Sequence, residues 1–281
     1  MKKNKNITIG KISYINASPV YYGLDHGLLP DWLSLHSNVP SELNRQIISG
    51  EIPLSPISAA FYAMHHKELF ILPELSISCN GQVMSVILAS HYPIKQLSGK
   101  TVLFSRDSAS AAAFLKMIFH QQNIQANYMT GQVSNSAEIA NKVDAALIIG
   151  DNALIHPWHE NFTHVIDLGH LWYDMTGLPF VFALWVVRRD FAKANPVIVK
   201  QVHKLLLESK DMGYQHIKKI VKMASLKLKL DQKIVKQYFD LLFCDLDENK
   251  IEAMGVFFDY LYEQGILAEK AEIQLFNYEL R

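Results

Sequence analysis

The chain has 281 residues, and at roughly 150 residues per domain this length predicts about two domains. Its 27 basic and 27 acidic side chains give a formal net charge of zero, which argues against a nucleic-acid or anionic-membrane binder, because those proteins carry a basic excess. Hydrophobic residues make up 49% and charged residues 19% of the chain, a composition typical of a folded globular protein rather than a disordered one.

Strand and helix patterns alternate along the first third of the chain. Pro19 suits the first turn of a helix that stops at Gly27, whereas Ser41 suits the N-cap of a second helix that Gly50 ends. Apolar runs of strand length lie between the helical segments. The predicted elements are strand 7–12, helix 19–26, strand 33–36, helix 41–49, strand 54–57, helix 59–65, strand 70–73 and strand 83–89.

The middle of the chain repeats this alternation, and the end is helical. Strands are predicted at 101–104, 128–129, 145–149 and 181–187, with helices at 111–115 and 136–141. From Asn195 onward apolar residues recur at three- and four-residue spacing, which predicts helices only. We therefore expect an α/β fold with parallel strands, arranged as two mixed α/β lobes with a ligand cleft and a helical C-terminal tail.

The cysteines and the N-terminal residues indicate the cellular compartment of the protein. Cys79 and Cys244 lie far apart with no CxxC pair, which predicts two buried thiols rather than a disulfide framework or a four-thiolate zinc site. Lys11 interrupts the apolar residues that follow the basic N-terminus before a signal peptide develops. No apolar run approaches the length of about 18 residues that a membrane span needs. We expect a cytoplasmic protein that binds neither membrane nor nucleic acid.

Polar clusters follow three of the predicted strands, at 14–19, 105–110 and 150–152. Ligands of α/β sheets bind outside the carboxyl ends of strands, and helix N-termini there can hold an anion without a lysine. Ser108 and Ser110 form the best such cradle, although their spacing alone favours the alternative that they only cap the helix. Asn16 is a candidate site residue or the start of an Asx turn, and Asp151 a candidate catalyst or an N-cap.

Other patterns favour structural roles. His156 and His159 have metal-like spacing but no third ligand nearby, so we predict no metal site. The lysine-rich segment 218–229 is predicted to be the solvated face of a helix. The chain contains no GxGxxG, P-loop or GxSxG motif, so dinucleotide, nucleotide and α/β-hydrolase functions lack their usual motifs.

A set of short blocks runs in order along the first two thirds of the chain. The blocks are 9–24, 40–44, 50–52, 55–58, 81–86, 147–151, 167–169, 172 and 176–189. Together they resemble the menaquinone-biosynthesis chorismate dehydratases, and the most specific block includes Trp172 and the segment 176–189. Pro53 and Ala59 depart from the pattern usual in that family.

The resemblance implies a bilobal type-2 periplasmic-binding-protein-like fold used as a cytoplasmic enzyme without a cofactor. Residues 1–90 and 184–281 would form the first lobe, and residues 91–183 the second. Members of this family dehydrate chorismate, a small dicarboxylate, to 3-[(1-carboxyvinyl)oxy]benzoate in the futalosine route to menaquinone. The resemblance leaves the oligomeric state open.

With that reaction as the hypothesis, Asn16 and Asp151 are the candidate catalytic residues. Asn16 would hydrogen-bond at the reacting centre, Asp151 would orient or protonate the leaving hydroxyl, and the substrate's own enolpyruvyl carboxylate would take the proton. The candidate substrate-binding residues are Tyr14, Ser58, Ser85, Ser108, Ser110, Thr176 and Gly177.

Two other functions fit the same fold. One is a non-catalytic small-carboxylate-binding protein or sensor, for which we would expect a signal peptide or lipobox if it were a transport component. The other is the dihydroxynaphthoate synthase of the same pathway, whose opening motif runs Ser-Pro-Cys-Pro-Asn-Asp. The corresponding stretch here begins at Ser13 and reads Ser-Tyr-Ile-Asn-Ala-Ser, which favours the dehydratase.

Overall fold

A computed structural model describes residues 7–106, 109–133 and 135–277. The described residues confirm the predicted alternation of strands and helices, followed by a helical C-terminal region. The strands are β1 (Ile7–Ile12), β2 (Leu33–Asn38), β3 (Leu54–Ser58), β4 (Leu69–Cys79), β5 (Val86–Ser90), β6 (Thr101–Ser105), β7 (Asn127–Gly131), β8 (Ala145–Ile149), β9 (His164–Asp167), β10 (Phe180–Arg188) and β11 (Leu242–Phe243).

The helices fall between the strands until β10 and then dominate. Short 3₁₀ turns lie at Ile15–Ala17 and Ile94–Gln96, and a π-type turn lies at Leu24–Leu28. The helices are α1 (Ser18–Gly23), α2 (Pro40–Ser49), α3 (Ala59–Met64), α4 (Ala109–Gln121), α5 (Ser136–Ala140), α6 (Asp151–Ile155), α7 (Trp158–Asn161), α8 (Leu168–Thr176), α9 (Arg189–Ala194), α10 (Pro196–Gln215), α11 (Ile217–Leu228), α12 (Gln232–Leu241) and α13 (Glu248–Glu263).

The strands form three sheets. A four-stranded sheet has the order β11-β4-β10-β3, a five-stranded sheet has the order β7-β6-β8-β5-β9, and β1 pairs with β2. The prediction of parallel strands holds for β1 with β2 and for β6 with β7 and β8. It is wrong for β10, which runs antiparallel to both β3 and β4, and for β5, which runs antiparallel to β8 and β9. Their connections pass from one sheet to the other, so the right-handed parallel crossover does not apply to them.

Helix ends follow the local chemistry only in part. Gly50 ends α2 in the left-handed conformation at φ 81°, as predicted, because glycine has no Cβ to oppose it. The start of α2 differs from the prediction: Pro40 occupies the first turn, and Ser41 lies inside the helix rather than at its cap. Ser58 caps α3 by accepting a hydrogen bond from the Phe61 amide at 3.3 Å.

The chain crosses between the two larger sheets twice. It leaves the four-stranded sheet after Cys79 and enters the five-stranded sheet at Val86, and it returns between Asp167 and Phe180. These crossings precede the lobe boundaries predicted at 90/91 and 183/184, because β5 belongs wholly to the five-stranded sheet and β10 wholly to the four-stranded one. The division into lobes itself stays a prediction.

The two crossings are held against each other by Asp167 and Gly169. The Asp167 carboxylate accepts hydrogen bonds from the amides of Val83 at 3.0 Å, Met84 at 2.7 Å and His170 at 3.0 Å. A Cβ at Gly169 would lie 2.5 Å from the Gly81 carbonyl oxygen and 2.7 Å from Cys79 Sγ. The backbones can therefore approach this closely only because residue 169 has no side chain.

The C-terminal helices complete the hydrophobic core. Phe114 of α4 lies 5.6 Å from Trp172 of α8 and 5.3 Å from Phe180 of β10, measured between ring centroids. Phe257 of α13 lies 4.9 Å from Phe180 and 5.7 Å from Trp172. This aromatic cluster packs the last helix against elements of both larger sheets. Cys79 and Cys244 are buried free thiols, as predicted.

Within the described residues, no helix combines the length and the apolar character required to cross a lipid bilayer.

The Gly169→Ala variant should be less stable than the wild type by about 1–3 kcal/mol, because its methyl group would be forced against backbone and sulfur atoms. The matched control is Gly255→Ala in α13, where the nearest atom to the new methyl group, Ile273 Cδ1, is 3.8 Å away. That variant should gain about 0.5–1 kcal/mol, since alanine is the better helix former. Chemical denaturation measures both; equal effects would contradict the close approach of the crossings.

Candidate active site

A cleft lies between the two larger sheets, at the carboxyl ends of β6 and β8. It holds about 600 Å³ of empty space, a volume that includes its open mouth. Its wall is mostly apolar and includes Ile12, Ile57, Val86 and Phe182. The polar side chains that line it are those of Tyr14, Asn16, Ser58, Ser85 and Ser110. The structure therefore brings five of the predicted site residues together.

Asn16 lies in the 3₁₀ turn before α1 and faces the cleft. Its Oδ1 atom is buried and accepts no hydrogen bond from any described residue. The alternative of an Asx turn is therefore wrong, because such a turn needs this oxygen as its acceptor. A buried amide oxygen without a partner is unfavourable, and either a water molecule or a ligand in the cleft can supply the missing hydrogen bond.

Ser85 lies beside a strained residue that fixes its position. Met84 has φ 61°, in the left-handed region, and its amide is held by Asp167 at 2.7 Å. The hydroxyl of Tyr238 in α12 donates to Ser85 Oγ at 3.0 Å, which leaves the Ser85 proton available for a ligand. Burial raises the pKa of Tyr238, so the phenol stays protonated as a donor. Sequence patterns gave no indication of Tyr238, which lies far along the chain in an amphipathic helix.

Ser110 lines the cleft, but its hydroxyl group is already used. It accepts from the Ala60 amide at 3.0 Å and donates to the Phe182 carbonyl at 3.0 Å. It lies in the first turn of α4, which begins at Ala109, so it is not the N-cap. Its hydroxyl ties α4 to α3 and β10, which differs from the expected anion cradle. The other half of that cradle, Ser108, lies outside the described residues.

Thr176 and Gly177 were predicted to contact the substrate, but the structure places them at the end of α8 and not in the lining of the cleft. The Thr176 hydroxyl donates to the Trp172 carbonyl at 2.9 Å and accepts from the Leu178 amide at 3.1 Å. Gly177 adopts φ 71°, the left-handed conformation that ends the helix. The geometry of a helix end accounts for both residues.

Asp151 lies behind the Asn16 turn rather than in the cleft wall. Its Oδ1 accepts from the Ile15 amide at 3.0 Å, and its Oδ2 pairs with Lys227 Nζ at 3.1 Å. Lys227 also donates to the Ser13 carbonyl at 2.9 Å. Asp151 is at the first position of α6 and not at its N-cap, which is Gly150. Lys227 lies on the exposed face predicted for segment 218–229, and its ammonium group also pairs with Asp151.

Gly150, the residue before Asp151, packs against the Tyr14 ring at the wall of the cleft. Gly150 has φ 67° and ψ −147°, and a Cβ there would lie 2.8 Å from the Tyr14 ring. Glycine is therefore required both by the backbone and by the packing of the ring. Together with Asp151, this contact fixes the Asn16 turn against the end of β8.

The cleft offers hydrogen bonds in an apolar setting rather than charge. No aspartate, glutamate, histidine, lysine or arginine is present among its described lining residues. Among the described residues, no cluster of histidine, cysteine and acidic side chains is arranged to hold a metal ion. The site can therefore orient a ring-shaped ligand and hydrogen-bond its polar groups. A proton transfer would need a base that belongs to the ligand or lies outside the wall of the cleft.

Replacing Asp151 by alanine should cost more stability than replacing Lys227 by glutamine, because alanine also removes the acceptor of the Ile15 amide. The Lys227 side chain is 52% exposed, so its ion pair should contribute at most about 1 kcal/mol. A double-mutant cycle by urea denaturation should give a coupling of about 0.2–1 kcal/mol between the two residues. The control is Lys236→Gln, whose partner Asp240 lies on the same helix. Zero coupling between Asp151 and Lys227 would contradict the link.

Proteins similar to this chain include two chorismate dehydratases and a 1,4-dihydroxy-6-naphtoate synthase. A chorismate dehydratase of Thermus thermophilus is 29% identical over 245 residues, covering 82% of this chain and 86% of that protein. A chorismate dehydratase of Campylobacter jejuni is 28% identical over 237 residues, with the same shares covered, 82% and 86%. A 1,4-dihydroxy-6-naphtoate synthase of Thermus thermophilus is 26% identical over 186 residues, covering 63% and 64%.

Solved structures show the fold. A protein of Archaeoglobus fulgidus superposes with a TM-score of 0.74 at 18% identity, covering 95% of this chain and all of that one. The alkanesulfonate-binding protein SsuA of Xanthomonas axonopodis, bound to MOPS, superposes with a TM-score of 0.67 at 15% identity, covering 95% and 96%. The predicted α/β fold of the periplasmic-binding-protein type is confirmed.

One protein-family sequence model matches the strands, the cleft and the C-terminal helices together. The model described as menaquinone biosynthesis matches residues 7–263, from the first residue of β1 to the last residue of α13. Because the match covers far more than half of the chain, this chain belongs to the menaquinone biosynthesis family.

Proposed function

We propose that this protein is a chorismate dehydratase, a hydro-lyase that eliminates water from chorismate to give 3-[(1-carboxyvinyl)oxy]benzoate. The observation that carries the proposal is the apolar cleft with Asn16 at its surface, whose buried Oδ1 lacks a partner among the described residues. The two chorismate dehydratases similar to this chain support the choice of substrate. The futalosine route and a cytoplasmic location remain predictions from the sequence resemblance.

The cleft fits the shape and polarity of this substrate. Chorismate has a six-membered ring, which the apolar side chains Ile57, Val86 and Phe182 can hold. Its hydroxyl group needs a hydrogen-bonding partner near the reacting carbon, and the Asn16 amide can supply one. The Ser85 hydroxyl, oriented by Tyr238, can donate to another substrate oxygen.

The reaction removes one ring proton and one hydroxyl group, and the ring becomes aromatic. The wall of the cleft offers no ionisable base among its described residues apart from the phenol Tyr14. The enolpyruvyl carboxylate of the substrate is therefore the proton acceptor in this proposal. It takes the ring proton, and that proton leaves with the hydroxyl group as water, so that the elimination needs no other reactant.

Asp151 acts on this reaction through the backbone. The sequence suggested that it orients or protonates the leaving hydroxyl, but both of its oxygens are engaged, by Ile15 and by Lys227. Ile15 directly precedes Asn16, so the Asp151 carboxylate holds the turn that aims the Asn16 amide. We therefore assign Asp151 as a positioning residue rather than a catalytic one.

The function is tested by mixing the purified protein with chorismate and following the aromatic product by ultraviolet absorbance and chromatography. Formation of 3-[(1-carboxyvinyl)oxy]benzoate would support the proposal. Binding without conversion would refute it in favour of a carboxylate-binding protein or sensor. Turnover of the dihydroxynaphthoate synthase substrate with no turnover of chorismate would refute it in favour of the other enzyme.

Asn16→Ala should lower kcat by about 100-fold or more, since a group that assists proton transfer or a leaving group contributes on that order. Its thermal melting temperature should stay near that of the wild type, because Oδ1 has no hydrogen bond to lose among the described residues. The control is Asn127→Ala, an exposed asparagine at the opposite end of the parallel strands. Unchanged turnover in Asn16→Ala would remove this residue from the mechanism.

A further inference from the structure

Helix α11 presents exposed apolar side chains together with lysines on one side. Leu226 is 71% exposed and Met223 is 54% exposed, so most of both side chains lies in solvent. The lysines that share this side are also exposed. We call the side formed by these residues the basic face of α11; its members are Lys218, Lys219, Lys222, Met223 and Leu226.

Helical spacing places the members of the basic face together. At about 3.6 residues per turn, Lys218, Lys222 and Leu226 follow one another along one line of the helix surface. Lys219 and Met223 form the line beside it. The basic face is therefore the solvent side of an amphipathic helix. The residues buried on the opposite side are Ile220, Val221 and Ala224.

The charge of this part of the chain differs from that of the whole. Residues 217–230 contain five lysines and no aspartate or glutamate. Lys227 pairs with Asp151, and the other four lysines form no ion pair within residues 7–106, 109–133 and 135–277. Because the whole chain has equal numbers of basic and acidic side chains, the residues outside this segment carry a net negative charge.

Acidic side chains on the helices beside α11 do not pair with the basic face. Glu208 of α10 and Asp240 of α12 each pair with a lysine four residues away on their own helix. Asp231 caps α12 by accepting from the Lys233 amide at 2.7 Å. Asp211 of α10 has no ion pair in the described part of the chain. The lysines of the basic face are thus available to an external anion.

The residue types of the basic face indicate what kind of anion it meets. Lysine is a flexible point charge without the planar pair of donors of arginine, so it attracts anions without fixing their geometry. Helix α11 contains no arginine, asparagine or aromatic residue, the groups that read or stack on nucleic-acid bases. Exposed leucine and methionine side chains can instead enter the boundary between lipid headgroups and acyl chains, while lysines beside them meet the phosphate groups.

We propose that the basic face of α11 docks the protein reversibly on the surface of an anionic phospholipid bilayer. The zero net charge of the chain predicts no such binding, but a charged surface acts over only about a Debye length, roughly 8 Å at physiological salt. The charge of the nearest face therefore matters more than the average over the molecule. The negative charge of the rest of the chain is repelled by the same bilayer, which favours an orientation with α11 toward the lipid.

Co-sedimentation of the full chain with lipid vesicles tests the proposal. Vesicles of phosphatidylcholine alone are compared with vesicles of phosphatidylcholine and phosphatidylglycerol in equal parts. The wild type should bind the anionic vesicles at low salt and not the neutral ones, and its binding should weaken as salt is added, because salt screens the lysines.

Two substitutions separate the charge from the apolar contact. Lys222→Gln should weaken binding to anionic vesicles by about five-fold, the contribution of one lysine near such a surface. Leu226→Gln should weaken it by about 10-fold and leave the salt dependence as in the wild type, because it removes only apolar contact. The double variant should lose about 50-fold if the two contributions add.

A matched control makes the same two kinds of change on another surface. Val197 is 67% exposed and Lys193 is exposed, and both lie near the start of the 20-residue helix α10. Because a helix of that length is about 30 Å long, they are far from α11, which follows its other end. The double variant Lys193→Gln with Val197→Gln should bind anionic vesicles within about two-fold of the wild type.

A fluorescent label tests directly whether the basic face contacts lipid. Cys79 and Cys244 are buried, so a cysteine introduced by Leu226→Cys can be labelled selectively with an environment-sensitive nitrobenzoxadiazole dye. Its emission should shift to the blue and gain intensity on anionic vesicles. The same dye at Val197→Cys should show no shift.

Each contrary result overturns the proposal. It is refuted if the wild type does not bind anionic vesicles at low salt, or binds neutral vesicles equally well. It is also refuted if the Lys222 and Leu226 double variant binds as the wild type does, since another surface is then responsible. Binding of duplex DNA but not of vesicles, lost in that double variant, would assign the face to nucleic acid instead. Conversion of chorismate is measured without vesicles, so none of these outcomes bears on the proposed function.

Discussion

The Asp167 carboxylate joins the two chain crossings, and the geometry of the cleft depends on that contact. It accepts three backbone amides, two from the first crossing and one from the start of α8. These bonds stabilise the left-handed conformation of Met84. Ser85 is the next residue, so its position depends on the same bonds. The same contact needs a glycine at position 169, because the crossings meet with no space for a side chain. A residue outside the cleft therefore sets the position of one inside it.

The C-terminal helices contribute to the site in the same indirect way. Tyr238 of α12 orients the Ser85 hydroxyl, and Lys227 of α11 holds Asp151, which in turn holds the turn before Asn16. These helices contain no block of the resemblance to chorismate dehydratases, yet they support two polar residues that line the cleft, Asn16 and Ser85. Their role is to fix rotamers and backbone around the cleft, which is what a site built from neutral hydrogen-bonding groups requires.

The sequence predicts the fold class and the location of the site better than the role of each residue. Strand ends are readable from apolar runs, so Asn16 and Ser110 could be placed at one edge, whereas Ser85 lies inside the predicted strand 83–89 and was indicated by the resemblance. A motif, however, does not distinguish a residue that ends a helix from one that binds a ligand, which is why Thr176 was assigned to the site. Tyr238 and Lys227 could not be found, because helical periodicity indicates only a buried or exposed face and not the partner across the cleft.

The absence of cations from the described wall of the cleft has a chemical consequence if the substrate supplies its own base. A carboxylate in apolar surroundings has a raised pKa, because desolvation disfavours its charged form, and it becomes a stronger proton acceptor. A lysine or arginine at the same place would stabilise the carboxylate as an anion and weaken it as a base. Burying an unpaired carboxylate is costly, so it needs hydrogen-bond donors if no cation is present. The Asn16 amide and the Ser85 hydroxyl line the described cleft, and under the proposed function these neutral groups hydrogen-bond the substrate without lowering the basicity on which the elimination depends.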